Sequence, residues 1–137
     1  MSNKSIETIK KELHFIKSKQ IAINTYLEAE AQYLKRLDWL KSQKQSQSIQ
    51  KDIMRTEQVL NSLKAEINIT KLQKLEEFYL GIINQLEDEI DRVILIKFYI
   101  QGKTRERIAR ETHYSLGGIK SRLTNAIIKL KRKMQTS

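Results

Sequence analysis

From Ile6 onward, apolar residues return at intervals of three and four, or their sum: Ile6, Ile9, Leu13, Ile16, Ile23, Leu27, Leu34 and Leu37. That spacing draws one narrow stripe along an α-helix, a heptad seam in which Gln20 and Glu30 fill two of the apolar places. A stripe this narrow buries one edge against a single partner helix. Residues 41–48 (KSQKQSQS) are polar and break the pattern, so a loop is expected there, with a continuing helix as the alternative because the stretch has neither Gly nor Pro. The seam resumes with Ile49, Ile53, Leu60, Leu63 and Ile67, with Thr56 on the stripe, and a third stretch carries Leu72, Leu75, Tyr79, Ile82 and Leu86. The pattern predicts an antiparallel helical hairpin, or long helices that pair between subunits. Gln20, Glu30 and Thr56 then fix the register at some cost in stability.

Past residue 86 the rhythm changes to short segments. Ile90, Val93, Ile94, Lys97 and Phe98 mark an amphipathic helix, and Gly102 stands where a glycine caps a helix C-terminus. Thr104 is placed as an N-cap for a short helix over 105–111 that buries Ile108 and Ala109. His113 and Tyr114 form a turn, and Ser115 caps a longer helix. At 100° per residue, Ile119, Leu123, Ala126 and Leu130 share one face of that last helix. A short helix, a tight turn and a longer helix make a helix-turn-helix spacing. The fold class expected is therefore all-α: long N-terminal helices over 1–85 for oligomerisation or partner binding, then a helix-turn-helix domain over 86–137.

Composition supports the helical reading and narrows the chemistry. The 137 residues include no proline, no cysteine, four glycines and two histidines. Disulfides, thiolate metal sites and cysteine nucleophiles are excluded together, and a reducing cytosol suits such a chain. His14 and His113 are too far apart in sequence for an ordinary histidine metal motif. No run approaches the roughly 18 apolar residues of a membrane span, and the N-terminus lacks a signal peptide's apolar run. The 26 Lys+Arg against 16 Asp+Glu give a net charge of +10. The excess is concentrated: between Lys103 and Lys133 ten basic residues face only Glu106 and Glu111. Such a cationic subdomain is the electrostatic footprint of a nucleic-acid binder. Glu87, Asp88, Glu89 and Asp91 invite an acid–base reading, but acidic residues also favour the first turn of a helix, and that reading is preferred.

The outward face of the last helix carries Gly117, Ser121, Thr124, Asn125 and Ile128, with Lys120 and Arg122 on its flanks. Early residues of the second helix in such a unit enter the major groove, where Ser121, Thr124 and Asn125 suit base edges and Lys120 and Arg122 suit guanine or phosphate. Thr104 and Ser115 flank this site as caps. Lys103, Arg105, Arg107, Lys129, Lys131 and Arg132 are expected to hold phosphates, which positions the protein without reading sequence. Gly117 and Gly118 each cost up to about 1 kcal/mol of helix stability. A close backbone approach to phosphate at the helix N-terminus would offset that cost.

Residues 86–131 resemble the promoter-reading helix-turn-helix at the C-terminus of sigma factors. The resemblance is carried by Gly102-Lys103-Thr104, Ile108-Ala109, Tyr114-Ser115, Ile119-Lys120-Ser121-Arg122-Leu123 and Ala126 with Lys129-Leu130. A heptad-rich front joined to this module is similar to small sigma-like regulators of phages and prophages, of the ArpU and RinA late-gene activator type. The resemblance implies double-stranded DNA as partner, activation of phage or mobile-element genes, and the cytoplasm of a bacterial host. Lys120, Ser121 and Arg122 then belong to the DNA-contacting helix and residues 104–111 to its support. His113 replaces the usual turn glycine, and Ile128 stands where the family has a charged residue. Nothing resembles the promoter-melting region, so a sigma factor acting alone is not expected.

Gly102-Lys103-Thr104 ends like a phosphate-binding loop, but Lys97 occupies the place of its first glycine. Trp39 with Tyr33 is read as packing at a helix end, and Tyr79, Phe98, Tyr99 and Tyr114 as core. No catalytic constellation appears, so neither an enzyme nor a cofactor or metal is expected. The leading expectation is a transcriptional regulator, dimeric through its N-terminal helices. The alternative is a protein-interaction module that binds RNA polymerase or a regulator.

Overall fold

Most of the helices begin where the chain supplies a hydroxyl or carboxylate for unpaired backbone N–H groups. The computed structural model describes residues 4–70 and 73–136, all of its regular structure helical. Ser5 Oγ accepts from the Thr8 N–H at 3.1 Å and opens α1, Ile6–Ser42. Ser46 Oγ accepts from the Ile49 N–H at 3.2 Å and opens α2, Gln47–Thr70. The polar stretch at 41–48 thus contains a break of only four residues, 43–46, because Lys and Gln are good helix formers on either side. α3 spans Gln73–Ile83. Asp88 caps α4, Glu89–Leu95, by accepting from the N–H groups of Ile90 at 2.8 Å and Asp91 at 3.4 Å. α4 continues into a π-helical segment, Ile96–Ile100. α5 is Arg105–Thr112 and α6 Leu116–Thr136. No described helix is long and apolar enough to cross a membrane.

The chain forms two compact units, Met1–Ile21 with Leu72–Ser137, and Ala22–Lys71. The division does not follow residue 85: residues 6–21 of α1 and all of α3 belong with the C-terminal helices. Ile9, Leu13 and Ile16, expected on a seam with a partner helix, lie at 0–2% exposure inside the core of that unit. Periodicity reports that a face is buried, not what buries it. Leu72, placed on the third stripe, lies outside the described residues.

In the unit Ala22–Lys71, α2 keeps its expected stripe: Ile53, Thr56 and Leu60 are buried, and Ile49, Leu63 and Ile67 half-buried. The Thr56 hydroxyl is satisfied by donating to the Asp52 carbonyl at 2.7 Å, so its burial leaves no orphan. On α1 the expected stripe is covered only in part. Leu27 and Leu34 are each 44% exposed, while Ile23, Tyr26, Glu30, Tyr33 and Leu37 are half-buried and Leu40 is buried. Tyr33 and Arg36 line a groove with Asp52, Arg55, Thr56 and Val59, which sets the end of α1 antiparallel beside the start of α2. Trp39, expected to pack, is 59% exposed.

In the other unit the core gathers Tyr79, Ile82, Ile83, Leu86, Ile94, Leu95, Phe98, Tyr99 and Ile108 around one face of α6. That face holds the expected Ile119, Leu123, Ala126 and Leu130, extended by Ile127 and Met134. Full burial of each large aliphatic side chain contributes about 1.5–3 kcal/mol. Along α4 and the π-helical segment the expected Ile94 and Phe98 are buried, together with Asp91, Leu95 and Tyr99, while the expected Ile90, Val93 and Lys97 are half-buried. Asp91 is drawn in by Arg122 and Lys129 of α6.

Gly102 closes that segment in the left-handed region at φ +70°. The Lys103 N–H reaches back to the Lys97 carbonyl at 2.9 Å, a wide closure made by the π register. A side chain at 102 would also crowd Ile21, whose Cγ1 lies 3.1 Å from the Cβ position. Lys17 of α1 secures the same place: its ammonium donates to the carbonyls of Phe98 at 3.3 Å and Lys103 at 3.1 Å, 3.4 Å from the Phe98 ring centroid. Burial, and then Arg105 nearby, push this ammonium down to about 8.

Candidate nucleic-acid interface

Thr104 caps α5, its hydroxyl accepting from the Arg107 N–H at 3.2 Å, an arrangement generally worth about 1 kcal/mol. α5 ends at His113, left-handed at φ 62°, a conformation that histidine tolerates better than most residues. Ser115 then starts α6: its Oγ accepts from the Gly118 N–H at 3.0 Å. This cap supplies a local reason for Gly118, since a Cβ there would lie 3.1 Å from Ser115 Oγ. Gly117 has open space where a Cβ would stand.

With its core face fixed by Ile119, Leu123, Ala126, Ile127 and Leu130, α6 must turn the rest of its surface outward. Ser115, Gly117, Lys120, Ser121, Thr124, Asn125, Lys129 and Arg132 are exposed, and Gly118, Arg122, Ile128 and Lys131 half-buried. Thr104, Arg105 and Arg107 are also exposed, and Lys103 is half-buried. Ser121 and Asn125 therefore form an open polar strip, one turn apart, with Lys120 and Thr124 beside it. The Thr124 hydroxyl donates to the Lys120 carbonyl at 3.1 Å, so its oxygen lone pairs face solvent.

The cations on either side of this strip are held from within. Asp91, 2% exposed, accepts from Lys129 Nζ at 2.7 Å and faces Arg122 at 3.5 Å; Asp88 lies 3.6 Å from the same guanidinium. Hydrogen bonding from Lys129 to Asp91 raises the Lys129 ammonium above its ordinary range. The N–H of Ile90 leads the causes that hold the Asp88 carboxyl low. Arg122 also stacks 4.9 Å from the Tyr114 ring centroid. On the α5 side, Glu111 gathers Lys97 at 2.7 Å, Lys103 at 2.9 Å and Arg107 at 3.3 Å. Arg105 lies 4.6 Å from the Phe98 ring centroid, and Lys131 donates to the Lys4 carbonyl at 3.2 Å. Several proposed phosphate contacts are thus pre-positioned by acids and rings rather than waving free. Preorganised side chains lose less entropy when they meet a ligand.

Asp91, Glu111, Tyr114 and Phe98 are the parts of this surface that sequence reasoning missed as positioning groups. Asp91 was legible only as a helix-start acid. Its deep burial depends on α6, 38 residues away in sequence. His14 of α1 is exposed but leans edge-on against Tyr99, with ring centroids 5.5 Å apart. Burial, then Lys17 and Arg105, hold its imidazole below the ordinary value.

Glu111 gives the surface an acid limit. Its hydrogen bonds from Lys97 and Lys103, and then Arg107, bring the carboxyl down to about 2 from 4.5. A depressed folded-state value means stability that is present above the unfolded value and lost as pH falls through the folded one. Glu111→Gln removes this contribution. Thermal melts of the two proteins should therefore differ most above pH 5 and converge between pH 4.5 and 2.

Compared with known protein families, with curated proteins and with solved structures, the chain matches none.

Proposed function

We propose that this protein is a DNA-binding transcriptional regulator that presents α6 to the major groove as the second helix of a sigma-like helix-turn-helix. The observation that carries the reading is the open strip of Ser121 and Asn125 beside Lys120 and Thr124, flanked by Arg122, Lys129 and Arg132 on one helix. Short hydrogen-bonding side chains read base edges; long cations set register on phosphates. α5 supports the reading helix, with Arg105 and Arg107 exposed at its start. Modest sequence specificity follows from Gly117, which offers no side chain where such helices read most, and two copies acting together would restore it. The regulator is read as an activator of phage or mobile-element genes in a bacterial cytoplasm, working without enzymatic chemistry.

The test is footprinting on the intergenic DNA of the element that encodes it, with affinity measured against salt. If about five phosphates are neutralised, log K should fall against log salt with a slope of roughly −4 to −5. A flat salt dependence, or no protected site at low salt, would sink the reading. One observation favours the alternative of a module that binds RNA polymerase or a regulator: Ile128 puts a half-buried apolar side chain on the outward strip. Capture of purified polymerase by a chain that shifts no DNA would support it.

A further inference from the structure

The unit Ala22–Lys71 leaves large apolar side chains uncovered. Leu27 and Leu34 lie two turns apart on α1, each 44% exposed, although Leu40 on the same helix is 2% exposed. At 100° per residue they fall on one line, with Ala31 between them, about a quarter-turn from the face that meets α2. Glu28 and Lys35 stand together along one edge of that line. Both are exposed, and neither has an ion-pair partner among the described residues. Trp39 extends this edge one turn past Lys35 and is 59% exposed.

The order of these residues is self-complementary. An isologous interface requires that where residue i meets j, j also meets i. In an antiparallel pair centred between residues 30 and 31, Leu27 of one helix lies opposite Leu34 of the other, twice. The same two-fold axis keeps like edges together, so Glu28 of each copy comes level, within about 3 Å along the axis, with Lys35 of its mate. Within one helix those two charges are about 10 Å apart and cannot pair. We propose that this face of α1 is the homodimer interface, and that a second copy of this chain is its occupant, in antiparallel register. The pairing rests on the regulator reading only in supplying the two reading helices; its chemistry lies wholly within Ala22–Lys71.

The test uses the full chain. Sedimentation should show a concentration-dependent dimer, with the single tryptophan, Trp39, shifting to shorter emission wavelength as it forms. Glu28→Lys and Lys35→Glu should each weaken dimerisation about tenfold by placing like charges opposite, and the double exchange should restore it. That rescue separates a contact between copies from mere damage to the hairpin. Because the chain has no cysteine, Ala31→Cys should cross-link two copies near the axis, whereas Leu27→Cys should not. A chain that stays monomeric at about 100 µM, a dimer indifferent to both charge reversals, or cross-linking through Leu27→Cys instead of Ala31→Cys would overturn the proposal. A monomer that still protects its DNA site overturns the pairing alone; a dimer of this register that binds no DNA supports the pairing and removes the DNA reading alone.

Discussion

Ser121→Glu combined with Asn125→Glu should lower DNA affinity by about 100-fold while leaving the helical signal and melting temperature almost unchanged. Both side chains are exposed and neither has a hydrogen bond or ion pair among the described residues, so the native packing has little to lose. Two carboxylates pushed toward a phosphate-lined groove would bring like charges together, at a cost of about 3 kcal/mol, which is about two decades in affinity. This pair tests the interface more cleanly than Arg122, because Arg122 also faces Asp91 and Asp88 and its loss would disturb packing. Electrophoretic mobility shifts on the footprinted site, with circular dichroism of the same samples, would settle the point. Undiminished binding by the doubly acidic variant would remove α6 from the groove.

The largest stability effect should come from a residue that touches no proposed ligand. Asp91→Ala takes away the one buried carboxylate that ties the start of α4 to Arg122 and Lys129 on α6. Hydrogen bonds to charged groups are worth about 1.5–3 kcal/mol, and breaking a fully buried ion pair costs about 3–5. Here the partner cations are half-exposed or exposed and can recover water, so the lower range applies. A loss of about 2 kcal/mol lowers the melting temperature by about 10 °C for a unit of this size. Asp91→Asn should recover part of it by keeping an acceptor in place. The freed Arg122 and Lys129 should also make non-specific DNA binding more salt-dependent, since two more cations can release counterions. A melting temperature within 2 °C of the parent would show that this contact is decorative.

The Glu111 carboxylate and the Asp91 carboxylate show why part of the candidate surface was not legible in the chain. Asp91 stands in an acidic cluster at a helix start, where local sequence offers only the helix dipole as a reason for it, and Glu111 stands in the last turn of α5, where the dipole is unfavourable to an acid. Their roles appear when Lys97, Lys103 and Arg107 converge on one, and Arg122 and Lys129 on the other. The caps, by contrast, could be read directly: Thr104, Ser115, Gly102 and His113 act within a few residues of themselves. So could the buried stripe of α6, because a helix of fixed pitch turns every third or fourth side chain the same way.

The stripe on α1 marks the limit of such reading. Ile9, Leu13, Ile16, Leu27 and Leu34 look alike as a pattern, yet the first three are core of one unit and the last two are exposed on the other. The sequence by itself determined the helical character of the chain, the caps of α5 and α6, the inward face of α6 and the separation of its polar strip, because these depend on interactions within one or two turns. Only the tertiary structure decided which apolar edge is covered, where the folded units divide and which cations are anchored. Those outcomes depend on groups dozens of residues apart coming together, and neither periodicity nor local charge encodes such distances.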